Sequence, residues 1–265
     1  MSRKNTLWLG TNLKMFKTPR QTEEYLRALR EVYRSLPWRE ELSLFVIPSY
    51  TALPDAVSAA GDDIMIGAQN MHWEEQGEFT GEISPLMLEE IGVRLVMTAH
   101  SERRRKFGET DETANKKVLS SVRHGFVSLL CVGEDAEQKA SGTGLAVMRR
   151  QLEVGLSGLS DCGNIWIAYE PAWAIGASGT PARPEYVAQV HSFLRDVLLD
   201  MFGPAGQAVP ILYGGSTNAS NAEGLISANE VDGLFIGRAA WTVDSFENIM
   251  RLVRPVWRNK QGFNA

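Results

Sequence analysis

The sequence predicts a closed (β/α)8 barrel, an α/β fold whose single domain spans residues 1–265. Three observations predict it. Short apolar, β-rich runs alternate with amphipathic stretches about eight times in 265 residues, which matches the number and length that such a barrel requires. Most of the runs are almost continuously apolar, as strands buried on both faces of a parallel sheet are. No long polar linker or low-complexity tract divides the chain, which is typical of one domain.

The predicted strands are the apolar runs, and the predicted helices lie between them. In chain order the strands are Leu7–Thr11, Leu42–Pro48, Ile64–Gln69, Arg94–His100, Val127–Gly133, Asn164–Glu170, Val209–Gly214 and Gly233–Gly237. The intervening stretches carry apolar residues at the spacing of one helix face, as at Tyr25, Leu26 and Leu29. A hydroxyl residue before proline indicates a helix start, because the hydroxyl caps the first turn and proline favours the first helical position. Helices are therefore expected to begin at Thr18-Pro19, Ser84-Pro85 and Thr180-Pro181.

A doubly wound open sheet is the alternative fold for this alternation. It would have fewer units and a glycine-rich first turn that binds a dinucleotide. The first strand instead leads into Gly10-Thr11-Asn12-Leu13-Lys14, which contains no G-x-G-x-x-G pattern. The barrel is therefore favoured, and a dinucleotide cofactor is not expected.

Composition and charge exclude several classes of protein. The formal net charge of −5 leaves no basic excess to neutralise phosphates, which argues against generic nucleic-acid binding. The 2 cysteines exclude a disulfide scaffold, and the 4 histidines lack the spacing of metal ligands, so neither a metal nor another cofactor is expected. No apolar run reaches the roughly 18 residues of a membrane span, and residues 1–6 lack the layout of a signal peptide. We expect a cytoplasmic protein without a membrane partner.

Polar residues gather directly after the predicted strands. In a (β/α)8 barrel the carboxyl ends of all strands face one side, where the loops form the active site. Each polar group alone has an ordinary structural explanation, such as a capping carboxylate, a buried histidine with satisfied nitrogens or a simple turn. Their convergence on one ring predicts a functional site. These groups are Asn12 and Lys14, the run His100-Ser101-Glu102, Glu170, the turn Gly214-Gly215-Ser216 and the pair Gly237-Arg238.

The chemistry of this set favours proton transfer on a phosphorylated substrate. A carboxylate can act as a base and an imidazole as an electrophile, while the N–H groups of glycine-rich turns suit a phosphate dianion. No G-x-S-x-G motif is present, so serine hydrolysis is not supported. A Schiff-base aldolase would need a lysine at a mid-barrel strand end, whereas Lys14 follows the first strand.

Eight short segments, in one order along nearly the whole chain, are similar to motifs of the triosephosphate isomerase family. The sequence therefore resembles that family. The resemblance implies a TIM barrel and an intramolecular oxidoreductase that isomerises a small phosphorylated sugar without a cofactor. The matching segments are Gly10–Met15, Gly67–Asn70, Phe79–Glu82, Ala99–Arg104, Phe107–Glu109, Cys131–Glu134, Tyr169–Gly176 and Tyr213–Ser216.

The resemblance also implies a role for the polar residues at the barrel mouth. Glu170 would be the base that moves a proton between adjacent carbons through a cis-enediol(ate). His100 would be a neutral electrophile that polarises the carbonyl, while Lys14 and Asn12 would stabilise the charge that develops on the oxygens. Glu102 would form an ion pair that places Lys14.

Further residues complete the implied site. Ser101 would support it without reacting, and Pro171–Pro181 would close over it as a lid. Cys131 and Glu134 match a motif but look structural, as a buried small residue and a helix-start carboxylate. The basic run Arg103–Arg105 is expected to form ion pairs. The residues implied in binding the substrate phosphate are Gly176, Ser216, Gly237 and Arg238.

The resemblance implies a homodimer as well. Residues 71–82 resemble the loop that family members insert into a neighbouring subunit. Thr80 would then approach Asn12 and Lys14 of the partner subunit. Trp73 could equally pack on its own barrel.

Several residues near the expected substrate depart from the family pattern: Leu13, Phe16, Ala99, Phe235 and Arg238. An arginine at a glycine turn is expected to strain the backbone if φ must be positive. Its side chain would either point outward into a salt bridge or reshape the pocket.

The changes at Leu13, Phe235 and Arg238 resemble a branch of the family that acts on tetrulose phosphates. They imply conversion of L-erythrulose 1-phosphate to D-erythrulose 4-phosphate, as in erythritol catabolism. The alternative is an ordinary triosephosphate isomerase of glycolysis, which interconverts dihydroxyacetone phosphate and glyceraldehyde 3-phosphate. A non-catalytic barrel that binds sugar phosphates is a more remote alternative.

Overall fold

Eight parallel strands close into a barrel, which confirms the predicted fold. The computed structural model describes residues 5–175 and 181–263. Each strand pairs in parallel with the next, and the eighth pairs with the first. The extent of the domain over residues 1–265 stays a prediction. The strands are β1 (Leu7–Asn12), β2 (Leu42–Ile47), β3 (Met65–Ala68), β4 (Leu95–Thr98), β5 (Val127–Val132), β6 (Ile165–Tyr169), β7 (Ile211–Tyr213) and β8 (Gly233–Ile236).

Helices connect the strands and cover the outside of the barrel, because a parallel connection has to return along the sheet. Their apolar faces lie inward, as in the first helix, where Tyr25, Leu26 and Leu29 are buried. The described helices are α1 (Pro19–Ser35), α2 (Leu53–Ala60), α3 (Pro85–Ile91), α4 (Ser101–Phe107), α5 (Asp111–Arg123), α6 (Ala136–Ala140), α7 (Gly144–Gly155), α8 (Pro184–Phe202), α9 (Ala222–Ser227) and α10 (Val243–Gln261).

Two of the three predicted helix starts are confirmed. Thr18 caps α1, and its hydroxyl accepts a hydrogen bond from the Gln21 N–H while the Gln21 side chain accepts one from the Thr18 N–H. These two bonds form a complete capping box. Ser84 caps α3 in the same way, through the N–H of Met87.

The predicted start of α8 is wrong. Pro181 precedes the helix, which begins at Pro184, while Thr180 lies outside the described residues. Arg183 stands before Pro184 with an extended backbone, φ −74° and ψ 143°. A residue before proline is kept out of the helical region by the proline ring, so the helix can begin only at Pro184.

All eight predicted strands are present, and their bounds differ by one or two residues from the apolar runs. The last residues of most runs leave the strand ladder and begin the loops. As a result β4 ends at Thr98 and β6 at Tyr169, so that His100 and Glu170 belong to loops at the mouth of the barrel.

Apolar layers lie on both faces of the sheet. Inside the barrel, four aromatic rings form a row in which each contacts the next, in the order Trp8, Trp166, Phe45 and Phe235. A Cβ atom at Gly10 would overlap the Phe45 ring, so this strand position requires glycine. Outside, the helices bury a larger layer against the strands. None of the described helices is long and apolar enough to cross a membrane.

Candidate active site

The turn after β1 carries Asn12 and Lys14. Lys14 has a left-handed backbone with φ 51°, which residues with a Cβ atom rarely adopt. The Asn12 Oδ1 atom accepts a hydrogen bond from the Lys14 N–H at 2.8 Å, and Gln69 Nε2 donates to the Lys14 carbonyl at 2.7 Å. These bonds hold the turn in a conformation in which Asn12 and Lys14 both line the cavity at the barrel mouth.

An ion pair fixes the lysine ammonium. Lys14 Nζ lies 2.6 Å from Glu102 Oε1, as the resemblance implied. Burial raises the pKa of Glu102, but the hydrogen bond and the charge of Lys14 outweigh it and hold that pKa below its ordinary value. Glu102 thus stays ionised near neutral pH and anchors the ammonium at the edge of the site.

The hydrogen bonds of His100 define its tautomer. Its Nδ1 atom accepts a hydrogen bond from the Glu102 backbone N–H at 3.2 Å, so this nitrogen carries no proton. The Nε2 atom lies 3.1 Å from Glu170 Oε1 and donates to it. An imidazole that accepts at Nδ1 and donates at Nε2 is neutral, and His100 is only 4% exposed. It can therefore donate a proton to a substrate oxygen.

Glu170 follows β6 and is 3% exposed. Its Oε2 atom accepts a hydrogen bond from the Ser101 N–H at 3.0 Å. Burial raises the pKa of Glu170, but His100, the Ser101 N–H and the Lys14 charge together lower it below its ordinary value. The side chain is therefore a carboxylate at neutral pH, buried and aimed at the cavity, which suits a general base.

A second strained residue lies next to His100. Ala99 has φ 58° and is 1% exposed. Its N–H donates to Glu109 Oε1 at 2.7 Å, and its carbonyl accepts from Arg104 Nε at 3.0 Å. Left-handed backbone at a residue with a side chain persists only where the surroundings enforce it, so these bonds place the histidine.

Glu109 is the centre of a buried ionic cluster. Its Oε2 atom lies 2.7 Å from both Arg103 Nε and Lys117 Nζ, and Lys117 also donates to Asn70 Oδ1 at 2.7 Å. Burial raises the pKa of Glu109, but Lys117, Arg103 and the Ala99 N–H lower it below its ordinary value. Glu109 and Gln69 carried no predicted role. Gln69 reaches Asn12 and Lys14, which are distant in sequence, and the partners of Glu109 include the main-chain N–H of Ala99.

A cavity of about 380 Å³ brings most of the predicted site together. Of the predicted site residues, Ser101 and Glu102 stand behind it, in contact with Glu170 and Lys14. Gly176 and much of the predicted lid fall in 176–180, outside the described residues. The predicted site residues that line the cavity are Asn12, Lys14, His100, Glu170, Ser216, Gly237 and Arg238. Thr217, Asn218 and Trp241 line it without having been predicted, and Ile175, which belongs to the predicted lid, lines it as well.

The turn after β8 accommodates Arg238 without the expected strain. Residues Arg238–Ala240 form a 3-10 turn, and Gly237 before it has φ −85°. Arg238 has no positive φ, so the condition under which an arginine would strain this turn is not met. Its side chain is exposed at the cavity rim, and no salt bridge joins it to another described residue.

Glu134 does not begin a helix, contrary to the prediction, because Asp135 caps α6 instead. Glu134 is fully buried, and one of its oxygens accepts hydrogen bonds from Tyr169, Trp173 and Tyr186 at 2.8–3.0 Å. The carboxylate thus joins β6, the start of the predicted lid and α8 beneath the site.

Two other structural predictions are borne out by the geometry. Cys131 is buried in the barrel interior. Of the run Arg103–Arg105, Arg103 and Arg104 form the predicted ion pairs, with Glu109 and Asp111, whereas Arg105 is exposed and forms none with another described residue. Within residues 5–175 and 181–263, no group of three or more His, Cys, Asp and Glu side chains could hold a metal ion.

A family model, curated relatives and a solved structure all indicate the same family. The family model described as triosephosphate isomerase matches residues 7–253. The L-erythrulose-1-phosphate isomerase of Rhizobium etli is 43% identical over 251 residues, covering 93% of this chain and 92% of that protein. The protein of the same name from Brucella abortus is 42% identical over 253 residues, covering 92% and 94%. The crystal structure of triosephosphate isomerase from Bartonella henselae superposes with a TM-score of 0.84 at 35% identity, covering 94% of this chain and 99% of that one.

The cluster around Glu109 predicts a pH-dependent contribution to stability. Because the folded pKa of Glu109 is lowered, its charge stabilises the fold above the unfolded pKa of about 4.3. That stabilisation is lost as the pH falls through the folded pKa. We expect Glu109→Gln to lower the free energy of unfolding at pH 7, and the difference from wild type to shrink below about pH 4. Urea unfolding across this range measures it.

Glu90→Gln on α3 is the matched control, because Glu90 is exposed. It should leave the free energy of unfolding within about 0.5 kcal/mol of wild type at every pH. A Glu109→Gln deficit that stays constant from neutral to acid pH would contradict the assignment.

Proposed function

This chain belongs to the triosephosphate isomerase family and is a sugar-phosphate isomerase, and on that premise we propose that it converts L-erythrulose 1-phosphate to D-erythrulose 4-phosphate. The observation that carries the reaction type is the contact between Glu170 and His100 at the wall of one cavity. The substrate rests on the names of relatives at 42–43% identity.

In the proposed mechanism Glu170 moves a proton between the two carbons, and His100 moves a proton between their oxygens. Glu170 takes the proton from C3 of L-erythrulose 1-phosphate, and the electron pair left there forms the enediolate as His100 Nε2–H protonates the oxygen on C2. His100 then takes the proton from the oxygen on C3, and Glu170 returns its proton to C2. The carbonyl has moved from C2 to C3, and no atom is gained or lost.

Two further groups stabilise the charge that appears during these steps. Lys14 and the Asn12 amide face the same cavity, where a fixed cation and a fixed dipole stabilise a developing oxyanion more strongly than water does. The Ser101 N–H, which now binds Glu170, holds the base beside the cavity before it turns to the substrate.

The substrate phosphate is assigned to the turns after β7 and β8. Ser216, Gly237 and Arg238 line the cavity there, and the first N–H groups of a helical turn such as Arg238–Ala240 have no partner within it. The Arg238 guanidinium at the rim adds a positive charge. Gly176 keeps its predicted place in this set, although it lies outside the described residues.

The choice between a tetrulose and a triose phosphate depends on the residues around this cavity. Phe235 and Arg238 line it, whereas Leu13 is buried behind it at 1% exposure. A tetrulose phosphate has one more hydroxymethyl group than dihydroxyacetone phosphate, and such a group is worth only about 1–3 kcal/mol of discrimination. Ordinary triosephosphate isomerase activity is therefore the second candidate. A cytoplasmic location and a role in erythritol catabolism stay predictions.

We also propose a homodimer in which residues 71–82 contact the neighbouring subunit. The base of this segment is fixed, since the His72 N–H donates to the Ile83 carbonyl at 2.8 Å and the His72 ring lies between Trp73 and Phe79. Most of the segment is exposed, and Phe79 is 44% exposed. An exposed apolar ring on a fixed loop suits a protein interface.

The complementary surface is the turn after β1. Met15 is 93% exposed directly beside Lys14. Covering Met15 with residues 71–82 of the partner subunit would bring the partner subunit's Thr80 toward Asn12 and Lys14 of this chain. In that arrangement each active site depends on the dimer.

Paired turnover assays test the proposed substrate. We expect wild type to turn over L-erythrulose 1-phosphate at least about tenfold faster than dihydroxyacetone phosphate, within the range that one hydroxymethyl group allows. Glu170→Gln should lower both rates by about a hundredfold or more, because the base is lost. Arg238→Gly should shift the preference toward the triose. Arg238→Ala is its control, because it removes the same charge without adding the backbone flexibility of glycine.

Dominant triose turnover would contradict the tetrulose assignment in favour of an ordinary triosephosphate isomerase. Binding of sugar phosphates without turnover of either one would leave only the non-catalytic barrel.

Sedimentation measures the proposed dimer. We expect wild type to have twice the mass of one chain, and Phe79→Glu to dissociate it and lower turnover by about tenfold or more, because a buried unpaired charge opposes association. Phe263→Glu is the matched control, since Phe263 has a similar exposure of 36% on the last described turn and should stay dimeric. A fully active wild-type monomer would contradict the proposal.

A further inference from the structure

Trp241 bridges two parts of the active site. It follows the turn Arg238–Ala240 after β8, and its indole Nε1 donates to the main-chain carbonyl of Asn12 at 2.9 Å. The two residues are 229 positions apart in sequence. The indole ring also lies on the Phe16 ring, with centroids 4.4 Å apart. The hydrogen bond therefore ties the turn assigned to the phosphate to the turn that carries Lys14.

The turn after β1 needs such support. Lys14 has a left-handed backbone, which costs a residue with a Cβ atom about 1–2 kcal/mol. Gln69 holds the turn on one side, through the Lys14 carbonyl and the Asn12 side chain. Trp241 holds it from the β8 side, through the Asn12 carbonyl. Glu102 holds the ammonium at the far end of the side chain, whereas Gln69 and Trp241 hold the main chain from which that side chain extends.

Trp241 is also the wall between two cavities. It lines the active-site cavity, and it lines a neighbouring cavity of about 390 Å³ together with Phe16, Lys17 and Tyr25. Of the described residues, it is the one that lines both. A residue in this place can set the distance between two turns without touching the reacting carbons.

We propose that Trp241 is a positioning residue, which holds the Lys14 ammonium at a fixed distance from the phosphate-binding turn. The inference rests on the proposed function in one respect, that Lys14 stabilises the enediolate. Charge on the substrate oxygens develops only after the proton has left carbon. Displacement of Lys14 therefore lowers the rate of the chemical step more than it weakens binding of the substrate.

Trp241→Phe tests the bond, because it removes the indole N–H and keeps an aromatic ring against Phe16. We expect kcat to fall about tenfold, because a displaced ammonium stabilises the developing charge less. KM and the inhibition constant of inorganic phosphate should change by less than about threefold. Phe16→Leu is the matched control, since it removes the ring contact and leaves the indole N–H; its kcat should stay within about twofold of wild type.

Hydrogen exchange gives a second readout that needs no turnover. The Lys14 amide donates to Asn12 Oδ1, so a loosened turn exposes it to solvent. We expect the Lys14 amide to exchange about tenfold faster in Trp241→Phe and at the wild-type rate in Phe16→Leu.

Three results would overturn the proposal: wild-type kcat in Trp241→Phe, equal losses in both variants, or unchanged exchange at Lys14. If wild-type protein turns over neither substrate, the proposed function is contradicted but the role of Trp241 is not. Hydrogen exchange at the Lys14 amide then still decides whether Trp241 holds the turn.

Discussion

The active site depends on one contact between two buried polar groups, the carboxylate of Glu170 and the imidazole of His100, 3.1 Å apart. Neither group is more than 4% exposed, and a buried charge is costly unless hydrogen bonds satisfy it. The backbone N–H of Ser101 satisfies the carboxylate, and that of Glu102 satisfies the far nitrogen of the imidazole. Because both donors belong to the first turn of α4, the end of β4 and the start of that helix fix the whole pair.

Backbone strain is concentrated beside these groups. The described chain has three residues other than glycine with positive φ, and two of them, Lys14 and Ala99, adjoin the site. Each is enforced by side chains from elsewhere in the barrel, Gln69 and Trp241 at the first and Glu109 at the second. The barrel thus supplies the rigidity that a loop alone lacks, which lets the catalytic groups keep positions that their own backbone disfavours.

The local sequence pattern predicted the barrel well, because each strand is a separate apolar run and the proposed catalytic side chains lie at or just beyond the ends of β1, β4 and β6. It failed where a contact joins distant residues. Trp241 reaches Asn12 across 229 positions, and no periodicity signals such a bond. The start of α8 was misplaced because Pro181 and Pro184 are both possible first helical residues, and the helix begins only at Pro184. Whether the turn at Arg238 requires a positive φ stayed open, because the backbone of a turn cannot be read from one substitution.

The protonation state of His100 tests the account most directly, since the proposed mechanism needs an imidazole that donates from Nε2 and carries no proton on Nδ1. Nitrogen NMR of histidine-labelled protein, assigned with His100→Gln, reports both ring nitrogens. The hydrogen bonds of His100 predict a proton on Nε2 and none on Nδ1. Protons on both nitrogens of His100 would contradict the hydrogen bond from the Glu102 N–H, and with it the proposed roles of both groups.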